Sequence, residues 1–354
     1  MTTDQQTRHT VAFDGKTGEW FGIWIVNLLL TIVTLGIYSA WAKVRANKYF
    51  YGNTSIAGRH FDYHATGMQI LIGRLIVVAA LVVFSVLAAL PLVNLILIIA
   101  LIFALPWLLI RGARFAARNT SWSNVRFDFK AGYGDAFVTY ILLPIGVALT
   151  LYTTIPFLSR RVNRFAIEGH SLGRSGFKIQ APIRPFYLAA LVALGWVLAA
   201  AALGAILLAG PFLALISAGE AGVEPDADVV APLVFGFYAL LFLGFYPASI
   251  LYGAMIRNVV YTHAELDGGH RFDSTVKPVT LLGIAVTNAL AVVFSLGLAL
   301  PWAQIRLTKY LADNTHVIPN GSLDAFEGQL HDDRNAIGDA YGDIEGIDLG
   351  GAAI

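Results

Sequence analysis

Seven runs of about twenty mostly apolar residues constrain this chain more than any other feature of its sequence. The runs cover residues 20–42, 70–90, 92–110, 136–158, 186–217, 230–256 and 279–302. About 20 apolar residues cross a bilayer core as a helix, and 57% of the 354 residues are hydrophobic against 13% charged. Strands of a membrane barrel would alternate apolar and polar residues, which these runs do not do. The sequence therefore predicts a multi-pass helical membrane protein and excludes a soluble enzyme.

Few polar residues occur inside these runs, and Arg74 is the one charged residue among them. Proton-coupled carriers place ionisable groups at depth, so the absence of carboxylates weighs against a proton relay. The intramembrane polar residues singled out by the sequence are Asn27, Thr31 and Asn288. Hydrogen bonding between helices is the favoured interpretation of these residues, and a substrate site is the alternative.

An internal repeat is the most informative pattern in the chain. Trp41, Trp107 and Trp302 are each followed by an arginine four residues later and by an Asn-Thr pair that starts twelve residues later. Phe157 begins a further copy in the same spacing, and a degenerate copy, the fourth along the chain, runs from residue 245 to residue 263. A fixed spacing of this kind predicts that one structural unit was copied along the chain, here five times.

Each copy contains a basic helix with an aromatic anchor, which is typical of a segment that lies at the lipid headgroups. The residues of this predicted interfacial motif are Trp41, Arg45, Lys48, Trp107, Arg111, Arg114, Arg161, Arg164, Trp302, Arg306 and Lys309. The motif predicts a lipid bilayer with anionic lipids as partner. The alternative is that these cations only fix topology. A net charge of +1 gives no indication of a nucleic-acid partner.

The Asn-Thr pairs suit the ends of these helices. They are Asn53, Thr54, Asn119, Thr120, Asn314 and Thr315. Asparagine tolerates the left-handed conformation that often ends a helix, so the pairs are predicted to be caps rather than ligands.

Short alternating stretches follow the repeats and predict β-strands. They lie at residues 11–14, 59–63, 125–129, 177–179, 271–273 and 325–327. The predicted fold class is therefore an all-α multi-pass membrane protein. It has about seven apolar segments, some of them re-entrant, in five degenerate repeats with interfacial amphipathic helices and short cytoplasmic strands. Residues 1–326 form the repeat-built transmembrane domain, and residues 327–354 form an acidic, partly disordered cytoplasmic tail.

Two topologies remain open. If all seven runs span, the two sides of the membrane receive nearly equal numbers of Lys and Arg, which contradicts the usual cytoplasmic excess. If runs 20–42, 136–158 and 279–302 instead enter and leave on one side, every basic segment and both termini become cytoplasmic. The rival is an inverted repeat of the kind found in secondary transporters. The one-sided arrangement is favoured, because it explains the charges and the strands together. Sequence breaks at Leu35-Gly36, 144–146 and Leu296-Gly297 are compatible with re-entrant helices.

These residues carry a family resemblance. The chain resembles the YjgN-like family of bacterial inner-membrane proteins, which is named for a domain of unknown function. The likeness rests on the segments 27–31, 34–38 and 41–45, on Asn53-Thr54 and on the tail segment 338–343. The resemblance implies location in the bacterial inner membrane, with the C-terminus expected in the cytoplasm, and it implies no reaction.

The sequence offers no catalytic chemistry, and we predict neither an enzyme nor a cofactor. His60 and His64 are four residues apart, but zinc takes three or four ligands, so a solvated histidine pair is favoured and no metal is predicted. The leading functional hypothesis is a conduit or carrier for a small solute or lipid. The alternative is a non-transporting scaffold or lipid-organising protein.

Overall fold

The computed structural model describes residues 8–224, 226–321 and 328, which form ten short strands and eleven helices. The strands are β1 (His9–Phe13), β2 (Thr54–Ile56), β3 (Arg59–Tyr63), β4 (Thr120–Trp122), β5 (Val125–Phe129), β6 (His170–Leu172), β7 (Ser175–Ile179), β8 (Ala264–Leu266), β9 (His270–Ser274) and β10 (Thr315–Ile318). The helices are α1 (Thr17–Val33), α2 (Ser39–Gly52), α3 (Gly67–Leu87), α4 (Pro91–Arg118), α5 (Tyr133–Phe137), α6 (Leu143–Leu149), α7 (Ile155–Gly169), α8 (Arg184–Glu220), α9 (Ala227–His263), α10 (Pro278–Phe294) and α11 (Leu300–Asp313). One π-helical turn, Val138–Leu142, joins α5 to α6.

The ten strands close into one antiparallel barrel. Strands that are consecutive in the chain are neighbours, and β1 pairs with β10 to complete the ring. The predicted all-α fold class is therefore wrong. The sequence showed the period-two pattern of the odd-numbered strands. Four of the even-numbered strands are only three residues long, which is too short to show alternation, and β2, β4 and β10 begin at the threonine of an Asn-Thr pair.

The last strand of the described chain was not predicted from the sequence. The final strand of the described chain is Thr315–Ile318, which begins within the third Asn-Thr pair. The predicted strand at 325–327, the motif at 338–343 and, apart from Gly328, the predicted tail at 327–354 lie outside the described residues.

Each repeat contributes a strand, an outgoing helix, a returning helix and a second strand. All helical hairpins therefore leave the barrel at one end, and tight turns join consecutive repeats at the other end. Ala57 and Gly58 form one of these turns with φ values of 50° and 78°. Two successive positive φ values match the two-residue turns whose twist suits a β-hairpin.

The predicted number of apolar segments is also wrong. Three of the seven runs do not form single spanning helices. Each of them folds into a short hairpin that returns to the barrel, namely runs 20–42, 136–158 and 279–302. Four helices of the described chain, α3, α4, α8 and α9, are long and apolar enough to span a membrane. Helix α8 has 37 residues against 17 in α1, a difference of about 30 Å at 1.5 Å per residue, which equals the thickness of a bilayer core.

The first short hairpin turns without leaving its backbone donors unpaired. In the first hairpin Leu35 and Gly36 have positive φ values of 51° and 92°. The Gly36 N–H donates to the Thr31 carbonyl at 2.8 Å, and the Tyr38 N–H donates to Thr34 Oγ1 at 2.9 Å. A turn satisfied in this way is compatible with an apolar environment.

The tips of these hairpins are apolar and exposed. Leu35 is 93% exposed, and Leu296 at the same place in the fifth repeat is 94% exposed. In the middle hairpin the sequence predicted a break at 144–146, which is wrong. Those residues lie inside α6, and the chain turns at Leu151 and Tyr152, which both have positive φ.

The barrel lumen is filled by five cross-strand pairs, one from each repeat. The pairs are Val11 with Ile56, Phe61 with Trp122, Phe127 with Leu172, Phe177 with Leu266, and Phe272 with Val317. Side chains at alternate positions of a strand point to one face, so each strand places one of these residues on the axis.

Aromatic side chains pack against each other in the lumen. The rings of Phe61 and Phe127 lie with their centroids 6.5 Å apart, and those of Phe177 and Phe272 lie 5.9 Å apart. One cavity among these side chains has a volume of about 90 Å³, and its lining is apolar except for His270. A second cavity of about 250 Å³ lies between six of the same side chains and residues of α7 and α9. The barrel is thus a packed core that supports the helical hairpins.

We expect the barrel to lose stability in mild acid. Burial lowers the pKa of His270 below its usual value of 6.5, and burial together with Arg8 lowers the pKa of His316. The unfolded chain then binds more protons than the folded chain as pH falls below 6.5. The stabilisation is complete above pH 6.5 and is lost as the pH falls through the folded pKa values.

Thermal unfolding in detergent between pH 7.5 and 5 checks this prediction. His270→Gln should flatten the acidic decline, whereas His60→Gln, at an exposed position, should leave it in place. An unchanged slope in His270→Gln would contradict the assignment.

Candidate functional site

Four arginines of the repeats lie at the same height above the barrel. We call Arg45, Arg111, Arg161 and Arg306 the arginine girdle. Each lies in a returning helix, seven or eight residues before its end. At 1.5 Å per residue this places the girdle about 10 Å above the barrel.

The girdle arginines of the first and fifth repeats bind the predicted intramembrane asparagines. Asn27 and Asn288 are 6% and 8% exposed. Arg45 Nη1 donates to Asn27 Oδ1 at 3.2 Å, and Arg306 Nη1 donates to Asn288 Oδ1 at 3.0 Å. The two classes of residue predicted separately from the sequence are therefore partners in one contact.

Further hydrogen bonds hold this contact in place. Arg45 also donates to the Tyr38 hydroxyl at 3.2 Å, and Arg306 donates to Thr287 Oγ1 at 2.7 Å. Asn288 Nδ2 donates to the Ala303 carbonyl of the returning helix at 3.0 Å. Thr31, in contrast, donates to the Asn27 carbonyl of its own helix and does not join two helices.

The other two girdle positions differ in charge. The Arg111 guanidinium lies over the Trp107 ring, 4.8 Å from its centroid. Arg161 instead pairs with the Asp135 carboxylate at 2.8 Å and with the buried Thr139 hydroxyl at 3.3 Å. Among the described residues, the partners found for the other three girdle arginines are uncharged.

The remaining residues of the predicted interfacial motif serve several purposes. The Trp41 ring lies against Gly67 at the start of the next repeat, where a Cβ would come within 2.4 Å of it. Arg306 stacks on Trp302, with the guanidinium carbon 5.1 Å from the ring centroid. Arg164 pairs with Glu168 in its own helix at 2.8 Å.

Three further motif cations lie near the barrel end of the helices. Arg114 Nε donates to the Phe129 carbonyl at 3.1 Å, which joins α4 to β5. Lys48 and Lys309 are exposed.

The Asn-Thr pairs lie where the returning helices enter the barrel. Asn53, Asn119 and Asn314 each donate from Nδ2 to the carbonyl four residues earlier at 2.8 Å. Thr54, Thr120 and Thr315 do the same with Oγ1 at 2.7, 3.0 and 2.6 Å. These bonds satisfy carbonyls that a helix end leaves open.

The conformation predicted for these asparagines is wrong. Their φ values are −92°, −92° and −105°, so none is left-handed. The side-chain amide, rather than the backbone, provides the cap.

The two neighbouring histidines bind protein groups rather than each other. His60 Nδ1 lies 2.9 Å from the Gly52 carbonyl, and His64 Nε2 lies 2.8 Å from Ser121 Oγ. Within the described part of the chain, no group of three or more His, Asp or Glu side chains is placed to hold a metal ion.

Sequence analysis missed one cation at this level, Arg257 of the fourth repeat. It lies six residues before the end of α9, but it lacks the aromatic-to-arginine spacing of the other copies. His263 Nδ1 lies 2.8 Å from the Val259 carbonyl, as each cap asparagine bonds the carbonyl four residues earlier. His263 therefore marks the helix end, and counting back from it along the sequence would have identified Arg257.

The comparisons with known proteins agree with the predicted resemblance. The family described as a bacterial protein of unknown function, DUF898, matches residues 8–344. The inner membrane protein YjgN of Salmonella typhimurium is 29% identical over 92% of both chains. The proteins of the same name from Escherichia coli O157:H7 and K12 are each 33% identical over 44% of this chain and 39% of their own length. No solved structure matches significantly. The resemblance is confirmed, and the chain belongs to the DUF898 family of bacterial proteins.

Proposed function

We propose that this protein is an inner-membrane, lipid-organising scaffold whose arginine girdle binds anionic lipids of the cytoplasmic leaflet. One observation carries the proposal: Arg45, Arg111 and Arg306 are held in position by uncharged partners among the described residues. A cation held by an amide or an aromatic ring keeps its full charge, and such charges attract anionic headgroups at a membrane surface.

The three short hairpins support the same function. Their outgoing helices have 17 residues, and their tips are exposed and apolar. Hairpins that start at headgroup level and end in the hydrocarbon displace lipid in one leaflet only. Three such hairpins around one barrel would order the lipids of that leaflet.

The conduit hypothesis requires a passage, and the barrel axis is a poor candidate. Five apolar cross-strand pairs point into the lumen, and the cavities that they line, of about 90 and 250 Å³, have mostly apolar walls. The geometry therefore favours the scaffold over a conduit along the axis.

Cysteine labelling tests the orientation that this function needs. Residues 121 and 172 would be natural reporters, but both are buried. We therefore choose Gly52→Cys, Arg126→Cys and Lys178→Cys, which are exposed near or on the barrel, and Glu224→Cys at the tip of the long hairpin. The excess of cations near the barrel predicts that the first three label from the cytoplasm and the last from outside. Label reaching the first three residues from outside and residue 224 from the cytoplasm would contradict this orientation.

The lipid function is tested by binding of phosphatidylglycerol to the protein in nanodiscs of graded anionic content. Each arginine near a charged surface contributes about 1 kcal/mol, so Arg45→Gln, Arg111→Gln and Arg306→Gln should each lower the affinity about fivefold. Arg161→Gln is the matched control, because its charge is already paired with Asp135, and it should change little.

Two results would contradict this function. Equal phosphatidylglycerol affinity in the wild type and the triple variant would remove the girdle from the proposal. Solute flux in proteoliposomes that is lost on Asn27→Ala or Asn288→Ala would favour the conduit instead.

A further inference from the structure

A groove of about 500 Å³ lies between the fourth and fifth repeats. It is bounded by one face each of α9, α10 and α11, and its lining is apolar apart from Tyr246, Arg257, Asn288 and Gln304. On α9 the groove extends from Tyr246 to Arg257, which is about 16 Å at 1.5 Å per residue.

Comparison of the first and fifth repeats explains why the groove is open. The outgoing helices have 17 residues and the returning helices 14 in both repeats. In this common frame Trp20 corresponds to Leu281, and Trp24 corresponds to Ala285. The groove exists because Leu281 and Ala285, whose side chains are smaller than tryptophan, replace two indoles.

Trp20 shows what fills this place in the first repeat. Its ring is 3% exposed and packs 5.4 Å from the Tyr49 ring, and its Nε1 donates to Gln304 Oε1 at 2.7 Å. Because the Gln304 amide oxygen already accepts the hydrogen bond from Trp20, we do not assign it a role in binding a ligand in the groove. Asn288 is likewise bonded to Arg306 and to Ala303.

The remaining polar group of interest is Arg257, at the end of the groove near the barrel. Its two Nη atoms donate to Ser274 Oγ at 2.6 Å and to Thr315 Oγ1 at 2.7 Å, and its guanidinium lies 4.2 Å from the centre of the Tyr261 ring. These partners are all uncharged. A guanidinium has five N–H donors, so three remain for a further acceptor.

Charge and shape together identify an occupant. The Arg257 guanidinium reaches Ser274 and Thr315 at the rim of the barrel, so it lies on the headgroup side of the groove. The groove continues from it along helices that face lipid. A half-buried cation with uncharged partners favours an anion, and an apolar groove of this length favours a hydrocarbon chain. We propose that the groove holds one anionic phospholipid, with its phosphate on Arg257 and one acyl chain between α9, α10 and α11.

This inference deepens the proposed function, on which it rests only for the position of the membrane. The two proposals differ in the number of lipids bound. The groove holds a single retained lipid, whereas the girdle acts on the lipids around the protein.

Native mass spectrometry of the full chain, purified with phosphatidylglycerol, tests the site. We expect one phosphatidylglycerol per chain to remain after the surrounding lipids are removed by activation. Ala285→Trp places in the groove the side chain that the first repeat carries at the same position, and it should lower retention at least tenfold. Val286→Trp, at the next position and 37% exposed, is the matched control and should retain the lipid.

Further measurements test whether the anionic headgroup and the acyl chain are both recognised. Arg257→Gln should lower retention of phosphatidylglycerol, and wild-type protein prepared in phosphatidylcholine should retain much less lipid. Millimolar inorganic phosphate should not displace the bound molecule, because the acyl chain supplies part of the affinity.

The site is overturned if the wild type retains no lipid, or if Ala285→Trp retains as much as Val286→Trp while unfolding at the same temperature as the wild type. The proposal for the girdle and the proposal for the groove can be contradicted separately. The triple girdle variant should keep the retained lipid, and Ala285→Trp should keep the graded response to phosphatidylglycerol in nanodiscs.

Discussion

Trp122→Ala is expected to lower the free energy of unfolding by about 3–5 kcal/mol, the usual effect of truncating a large buried aromatic side chain. Trp122 is 4% exposed and packs in one cluster with Val125, Leu172 and Leu266, which come from different strands of the barrel. Because the barrel joins all five repeats, the loss should appear in the whole molecule and not in one hairpin.

Chemical unfolding in detergent, followed by tryptophan fluorescence and circular dichroism, measures this effect. Trp107→Ala is the matched control, because that ring is 49% exposed and its described partner is Arg111. A cation–π contact at an exposed site contributes about 0.5–1 kcal/mol. Equal losses in the two variants would show that the lumen is not the core of the fold.

The second large effect is expected at the buried asparagine of the fifth repeat. Asn288→Leu removes the acceptor of Arg306 and the donor to the Ala303 carbonyl. Leaving a buried polar group unsatisfied costs about 1–3 kcal/mol, and more when the group is charged. Asn27→Leu should behave alike in the first repeat, although its bond to Arg45 is longer at 3.2 Å.

Thr31→Ala provides the contrast for this prediction. Its hydroxyl bonds a carbonyl of its own helix, so its loss should cost less than about 0.5 kcal/mol. A double-mutant cycle of Asn288→Leu with Arg306→Leu should show coupling of at least about 0.5 kcal/mol. Strict additivity would mean that the two side chains do not stabilise each other.

The membrane class of this chain was predictable because hydropathy is a local property. The short hairpins were favoured by the distribution of Lys and Arg and by the break at Leu35-Gly36, where the chain does turn. Hydropathy alone did not distinguish them from spans, because run 20–42 is long enough to cross. Closure of the barrel was also beyond local patterns. It depends on pairings such as His9 with Val317, which are more than three hundred residues apart, and β10 was not recognised as a strand.

The candidate site was half predictable. Both Asn27 and Arg45 stand out in the sequence, one as a polar residue in an apolar run and the other in a repeated spacing. Their contact follows only from the hairpin, which brings the two helices side by side. Arg257 escaped notice because the fourth repeat lost the aromatic residue that marks the others, and the groove arises from the absence of indoles at Leu281 and Ala285, which no single sequence segment reveals.

The pairing of β1 with β10 also has a consequence for chain connectivity. His9 faces Val317, and Thr10 faces His316, so the first and last strands are joined as closely as any two consecutive repeats. A circular permutant that links these strands with a short peptide and begins instead at the turn between Ser123 and Asn124 would keep every strand pair and every hairpin. The ring of five repeats therefore does not depend on which repeat comes first in the chain.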